Sequence, residues 1–289
     1  MSAAPAEKFP AIGSVRQVAR EWLPLALAFA VLFATALLPT DTALRQVDEV
    51  GRIAVCMPVD YPPLVGGSEE APGFDVDLVR EIAARSGWNV HVVANPAMGR
   101  DFNPRAWRVT RAQCQMLAGG IALSNTTRSF LDTTNGHLTT GWVMASADDA
   151  GLPQSGQRAG FYAGLSGLDR VQLGQYLREQ GVTPRIVPTA AALREGLANG
   201  DFDIAVTEAL IAYQTFDEED WTLSWLPGDL GRVPIGIGFW KGDMTLRRHV
   251  QRVLDAMEAD GTIAALAARY RLSDDVRCDM SAERCPKPD

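Results

Sequence analysis

Gly73-Phe74-Asp75-Val76-Asp77-Leu78 opens the segment whose reading decides the fold. Its two acids fall in the first turn of a helix that starts here, where the helix dipole favours negative charge. Val79, Ile82 and Ala83 continue an apolar stripe at helical spacing, and Gly87 suits the left-handed residue that ends many helices. The spacing predicts a helix to about Ser86. Ahead of it, Arg52 to Met57 reads as a short strand rich in Ile and Val. Pro58 to Gly67 reads as a loop, broken by prolines and a glycine pair. Behind it, Asn89 to Ala94 is again a strand. A strand, a helix and a strand at this spacing imply parallel pairing and an α/β fold.

The same logic extends along the chain. Cys114 to Leu123 reads as a buried strand containing a glycine pair, and Thr139 to Ala145 as another strand. Ser146 to Gln157 is polar and carries Gly and Pro, so a lobe crossing is expected near its start. A second unit follows. Arg158–Tyr162 is a strand, Gly164–Gly167 a small-residue turn, and Leu168–Gln180 a helix with Leu173 and Leu177 one turn apart. Arg185–Val187 is a strand. Thr189 caps a helix carrying Leu193 and Leu197 that ends at Gly200, and Asp203–Thr207 is a strand. Pro234–Trp240 is the last strand. The clearest helix comes next, with Leu246, Val250, Val253, Leu254 and Met257 on one face. Gly261 ends it, and Thr262 starts a final helix through Tyr270.

The chain has 289 residues, 47 % of them hydrophobic, and a net charge of -8. That charge argues against nucleic acid, whose phosphates would repel it. At the N-terminus, Lys8, Arg16 and Arg20 precede an apolar run from Trp22 to Leu38, 17 residues long and at the short edge of a membrane span. Ala34-Thr35-Ala36 offers a cleavage site. Residues 1–45 are expected to be a cleaved signal peptide or a retained inner-membrane anchor, with the remainder in the periplasm. The four cysteines are then disulfide candidates, for which three pairings exist. Cys278 and Cys285 enclose a short polar tail and need no long-range assumption, which leaves Cys56 and Cys114. No CxxC is present and none of the three histidines lies near a cysteine, so neither a metal nor another cofactor is expected. No nucleophile elbow, HExxH or P-loop occurs.

Four blocks, in order, carry a resemblance. Ile53-Ala54-Val55 through Tyr61-Pro62-Pro63-Leu64 resembles a first strand and its "YPPF" loop. Gly73 to Leu78 is similar to "GFDVDL" nearly letter for letter. Ala118-Gly119-Gly120 through Arg128 and Asp132, continued by Thr139-Thr140-Gly141, is similar to "IAGMTITPER…VDFS". Lys241-Gly242-Asp243, then Asp260-Gly261-Thr262 and Tyr270, resemble the closing helices. From about residue 50 to 272 the chain resembles the family 3, amino-acid-type extracellular solute-binding proteins that serve ABC importers. The resemblance implies a type II periplasmic binding protein fold, with two α/β lobes joined by two crossovers and a cleft between them. The lobes are expected at about 46–145 plus 235–289, and at 146–234.

The resemblance also implies site residues. Arg128 matches the "PER" arginine that would hold a solute carboxylate, though it falls one position late after the glycine pair of Gly119 and Gly120. The alternative is an arginine on a loop surface. The family's Ser or Thr after that pair is Ala122 here, leaving only a backbone N–H. Glu208 stands where the family carries an aspartate for the solute's ammonium; the alternative is a cap on the next helix. Tyr61 offers an aromatic wall. Gly164 to Gly167, with Ser166, resembles the "AGTT" turn that donates backbone N–H groups, with Leu165 in place of a threonine. Trp107 and Phe102 read as core residues, with lining of the cleft as the alternative.

The leading expectation is therefore a monomeric periplasmic protein that binds a small polar solute, an amino acid or related zwitterion, for an inner-membrane ABC permease. Two alternatives stand beside it. Cys56 and Cys114 resemble features of binding-protein-like accessory components of periplasmic quinoprotein dehydrogenases. The fold also hosts cyclohexadienyl dehydratases, whose chemistry Arg128 and Glu208 would suit.

Overall fold

The computed structural model describes residues 15–36, 41–98, 104–147, 151–164, 168–216 and 220–278. Contacts divide the chain into two units, Met1–Thr40 and Asp41–Asp289. The first contains helix α1 (Val15–Ala36), which carries Pro24 and exposes Trp22, Leu27, Phe29 and Phe33. Among the described residues no helix is long and apolar enough to cross a membrane.

The second unit begins with α2 (Ala43–Val50), then β1 (Arg52–Met57), α3 (Phe74–Ser86) and β2 (Asn89–Ala94). A 3-10 turn at Pro104–Trp107 leads to β3 (Met116–Ala122), α4 (Asn125–Phe130), β4 (Leu131–Thr133) and β5 (Leu138–Thr140). Next come β6 (Trp142–Ser146), β7 (Ala159–Tyr162), α5 (Arg170–Glu179), β8 (Pro184–Ile186), α6 (Ala190–Ala198) and β9 (Ile204–Glu208). The chain closes with α7 (Ala209–Thr215), β10 (Thr222–Trp225), β11 (Val233–Trp240), α8 (Met244–Ala259) and α9 (Thr262–Arg269).

Two mixed sheets result. The first runs β2-β1-β3-β11-β4 with β5 also on β11; the second runs β10-β6-β9-β7-β8. In each, a middle strand pairs in parallel with the next two strands, as β1 does with β2 and β3, and β7 with β8 and β9. An antiparallel strand then flanks the trio: β11 beside β3 and β6 beside β9. This is the expected pair of α/β lobes.

The crossing lies earlier than expected. Thr139 to Ala145 reads as one strand in the sequence, but the structure breaks it at Gly141 into β5, in the first sheet, and β6, in the second. A Cβ at Gly141 would sit 1.8 Å from the carbonyl oxygen of Gly231, on the segment that leads back into β11. Only a glycine lets the two passing chains come this close. The sheets thus divide at Gly141 and again between Trp225 and Val233, whereas the sequence boundaries fall at the end of β6 and inside β11.

The resembling blocks turn out to bind one another. Asp77 accepts from the Tyr270 hydroxyl at 2.6 Å and pairs with Arg269 at 3.0 Å. Asp132 accepts from Lys241 Nζ at 3.0 Å and from the N–H of Gly242 at 3.1 Å. Cys56 and Cys114 form a disulfide within a cluster that holds Met98, Trp107, Leu117 and Leu131. Trp107 is thus a core residue, as expected. Cys278 is disulfide-bonded, and its expected partner Cys285 lies outside the described residues, as do Ser166 and Phe102.

Candidate functional site

In open α/β sheets, ligands bind beyond the carboxyl ends of the strands, where the strand order reverses direction. Here that rule selects the segments after β1 and β3 in one sheet and after β7 and β9 in the other. Tyr61 follows β1, Ala122 ends β3, Gly164 follows β7 and Glu208 ends β9. Arg128 lies on α4, directly after β3.

The first-sheet half of the site is built on Asp75. Its side chain is fully buried at the start of α3, and its Oδ2 accepts from the N–H groups of Gly119 at 2.7 Å and Gly120 at 2.9 Å. His137 Nε2 donates to Oδ1 at 3.1 Å, and Nδ1 of that ring is buried without a partner. Both glycines have positive φ, +88° and +86°. A Cβ on Gly120 would lie 2.4 Å from the Tyr61 ring, so the ring rests directly on the glycine backbone. The loop that carries Tyr61 is closed by hydrogen bonds from Tyr61 N to Val65 O (2.7 Å) and from Val65 N to Tyr61 O (2.9 Å). Asp75 N donates to Leu64 O at 3.0 Å, which ties the loop to α3. The sequence offered Asp75 only as part of a helix start; its role as the acceptor for the glycine pair depends on a contact 44 residues away.

The second-sheet half centres on Glu208, which is completely buried. It caps α7: Oε2 accepts from the N–H of Ile211 at 3.4 Å. Oε1 accepts a short hydrogen bond from the Thr140 hydroxyl, which belongs to β5 in the first sheet. Burial raises the Glu208 carboxyl from its usual 4.5 to about 6, against the opposing effect of Thr140, Tyr61 and the helix N–H groups. The Tyr61 hydroxyl is buried and makes no hydrogen bond of ordinary geometry, yet it lies within reach of Glu208's charge. Burial first, and then the charges of Glu208 and Asp75, push the Tyr61 phenol well above its usual range. Gly164 packs on the same corner, where a Cβ would meet Ile211 at 2.5 Å and Glu208 at 3.5 Å.

Tyr61, Gly120, Gly164 and Glu208 are therefore brought together across the two sheets, with Thr140 as a member the sequence did not single out. Its signal was the Thr-Thr-Gly stretch at the sheet crossing. Ala122 pairs in register with Ile235 and is almost fully buried. Arg128 is half-buried. Among the described residues it has no ion pair, and its Nε is buried without a hydrogen-bond partner. Arg111, by contrast, is exposed and already paired with Asp243 at 3.0 Å.

Residues 53–273 match the model of the bacterial extracellular solute-binding proteins, family 3. The arginine-binding extracellular protein ArtP of Bacillus subtilis is 22 % identical over 258 residues, covering 87 % of this chain and 98 % of that protein. Among solved structures, an ABC uptake transporter substrate-binding protein from Streptococcus pneumoniae with bound histidine superposes with a TM-score of 0.60 at 15 % identity. The match covers 83 % of this chain and 99 % of that one. An ancestral amino-acid-binding protein, described as a precursor of cyclohexadienyl dehydratase, gives a TM-score of 0.55 at 18 % identity and covers 78 % and 98 %.

Proposed function

The chain belongs to the bacterial extracellular solute-binding proteins of family 3, and from that we propose that it captures an amino acid or related zwitterion for delivery to an inner-membrane ABC permease. Its fold is the type II binding-protein fold. The lobes follow the sheets, with one about 46–140 plus 233–278 and the other about 142–225. The solute lies between them. Arg128 receives the carboxylate, because a guanidinium matches a carboxylate in a bidentate fork. Glu208 faces the ammonium, and Tyr61 supplies an aromatic wall. The N-terminal segment, residues 1–45, serves export as a signal that is cleaved.

The single observation that carries this reading is the half-buried Arg128 on the element after β3, which among the described residues has no ion pair. A buried donor without a partner, here the Arg128 Nε, costs stability unless a solute supplies an acceptor. Binding is favoured over elimination chemistry because the compared relatives are described as binding proteins. The test is a thermal-shift screen of the full chain, refolded to strip bound solute, against the free amino acids and their amides. A solute that binds only the folded state stabilises it by about 2.7 kcal/mol at a hundredfold excess over Kd. Free amino acids should shift the melting point and amides should not. A flat response to every amino acid would refute the zwitterion reading.

A further inference from the structure

His137 carries a cost that packing alone would avoid. Its side chain is almost wholly buried, and its ring stacks on Phe74 with centroids 5.9 Å apart. Its backbone N–H donates to the Ile235 carbonyl at 2.9 Å, so β11 fixes where the ring starts. Nε2 donates to Asp75, while Nδ1 has no partner among the described residues. A buried polar atom left unpaired costs stability, and an apolar ring would stack on Phe74 without that loss. What the histidine adds is one N–H on Asp75.

That N–H decides how Asp75 sits. The last torsion of an aspartate is broad and two-fold, so a carboxylate held by one oxygen can turn and exchange its oxygens. Here Oδ1 is tied to His137 and Oδ2 to the N–H groups of Gly119 and Gly120, which fixes the carboxylate plane. The glycines depend on it because the sheet does not hold them. β1 pairs in register with β3 at Met116 and Leu117, and β11 at Met116, Leu117, Ile121 and Ala122; both pass over Ala118 to Gly120. On that unpaired stretch rests the Tyr61 ring, 2.4 Å from where a Cβ on Gly120 would lie. We infer that His137 is a positioning residue for the solute: through Asp75 it holds the glycine pair, and with it the seat of the Tyr61 ring. The inference rests on the reading of Tyr61 as a wall of the solute site.

The test separates the N–H from the ring. A glutamine amide reaches the place of Nε2, whereas an asparagine amide reaches only that of Nδ1. The native full chain and its His137→Gln, His137→Asn and His137→Phe variants are labelled with carbonyl-13C, 15N glycine. This selects the amides of Gly67 and Gly120, because Gly66-Gly67 and Gly119-Gly120 are the glycine-glycine steps of the sequence. Gly66→Ala removes Gly67 from the selection and so assigns the two. Amide exchange at Gly120 should be about tenfold faster or more in His137→Asn and His137→Phe, and within about threefold of native in His137→Gln. Gly67 should keep its native rate throughout. Affinity for the amino acid found by thermal shift should fall about tenfold in His137→Asn and stay near native in His137→Gln. Native exchange at Gly120 in both His137→Asn and His137→Phe overturns the inference. So does a His137→Gln chain as loose as His137→Phe, or an affinity that stays native while Gly120 is freed. If no amino acid binds at all, the zwitterion reading fails, and exchange at Gly120 still decides whether His137 holds the pair.

Discussion

Between β2 and β3 the chain runs through residues 95–115 and, among those described, forms only the 3-10 turn Pro104–Trp107. Between β8 and β9 it forms the capped helix α6. Both crossovers join the outer strands of a parallel trio with the same order. The order therefore does not require a helix; what it requires is cover for the apolar strand face. In the second sheet that cover is Leu193 and Leu197 of α6, with Gly196 packed on the Phe202 ring. In the first it is Met98, Trp107 and Val109, pinned by the disulfide from Cys56 on β1 to Cys114 ahead of β3. Asn95 helps to shape this irregular segment by donating to the Trp107 carbonyl at 3.2 Å. One half is held covalently and the other by helix packing.

The largest expected effect comes from removing the covalent tie. The bridge spans 58 residues, for which the chain-entropy relation gives a stabilisation of about 4 kcal/mol. Cys56→Ala with Cys114→Ala should lower the unfolding free energy by about that amount in denaturant titrations. A loss under 1 kcal/mol would mean that the apolar cluster alone holds the first crossover. In the second sheet, Leu193 is fully buried, so Leu193→Ala should cost about 3 kcal/mol and be indifferent to reductant. If reductant changed the cost of Leu193→Ala, the two halves would not be held independently.

The two sheets also differ in their buried acids. Asp75 is met by two N–H groups and a histidine, while Glu208 is met by neutral donors alone at lobe-crossing contacts. Because the folded state raises the Glu208 carboxyl from 4.5 to about 6, it binds that proton more tightly than the unfolded state does. The resulting stability is fully present below pH 4.5 and declines as pH rises through 6, by about 2 kcal/mol in all. Glu208→Gln should flatten that part of the stability profile; an unchanged slope would show that another group titrates there. The smallest effect concerns the cap of α6. Thr189 accepts from the N–H of Ala192 at 3.1 Å, so Thr189→Ala should cost about 1 kcal/mol by thermal denaturation. A cost above 2 kcal/mol would give the cap a larger share in holding the second crossover than packing leaves for it.

What the sequence disclosed follows the same division. Helices α3, α6 and α8 were legible because caps, apolar spacing and terminal glycines agreed with one another. Helix α4 was not, since six residues are too few for a period to show, and α7 was read only as the helix that Glu208 could cap, which it does. The break at Gly141 was hidden because Thr139 to Ala145, with its Thr, Trp and Val, reads as one β-prone run. What fixes the break is the approach of Gly231, 90 residues away. In the candidate site, the strand ends that present Tyr61, Gly164 and Glu208 could be read from pattern and resemblance. The donors to Asp75, and the Thr140 hydroxyl on Glu208, could not, because each of these joins segments more than 40 residues apart.

The central claim is that a solute carboxylate completes Arg128. Isothermal titration of the amino acid that gives the largest thermal shift tests it most directly, on the native chain, Arg128→Ala and Arg111→Ala. Arg128→Ala should weaken binding by about thirtyfold or more, the value of a charge-assisted pair of roughly 2 kcal/mol. Arg111→Ala, whose guanidinium is exposed and paired with Asp243, should leave affinity unchanged. An Arg128→Ala chain that binds as tightly as the native one would contradict the account.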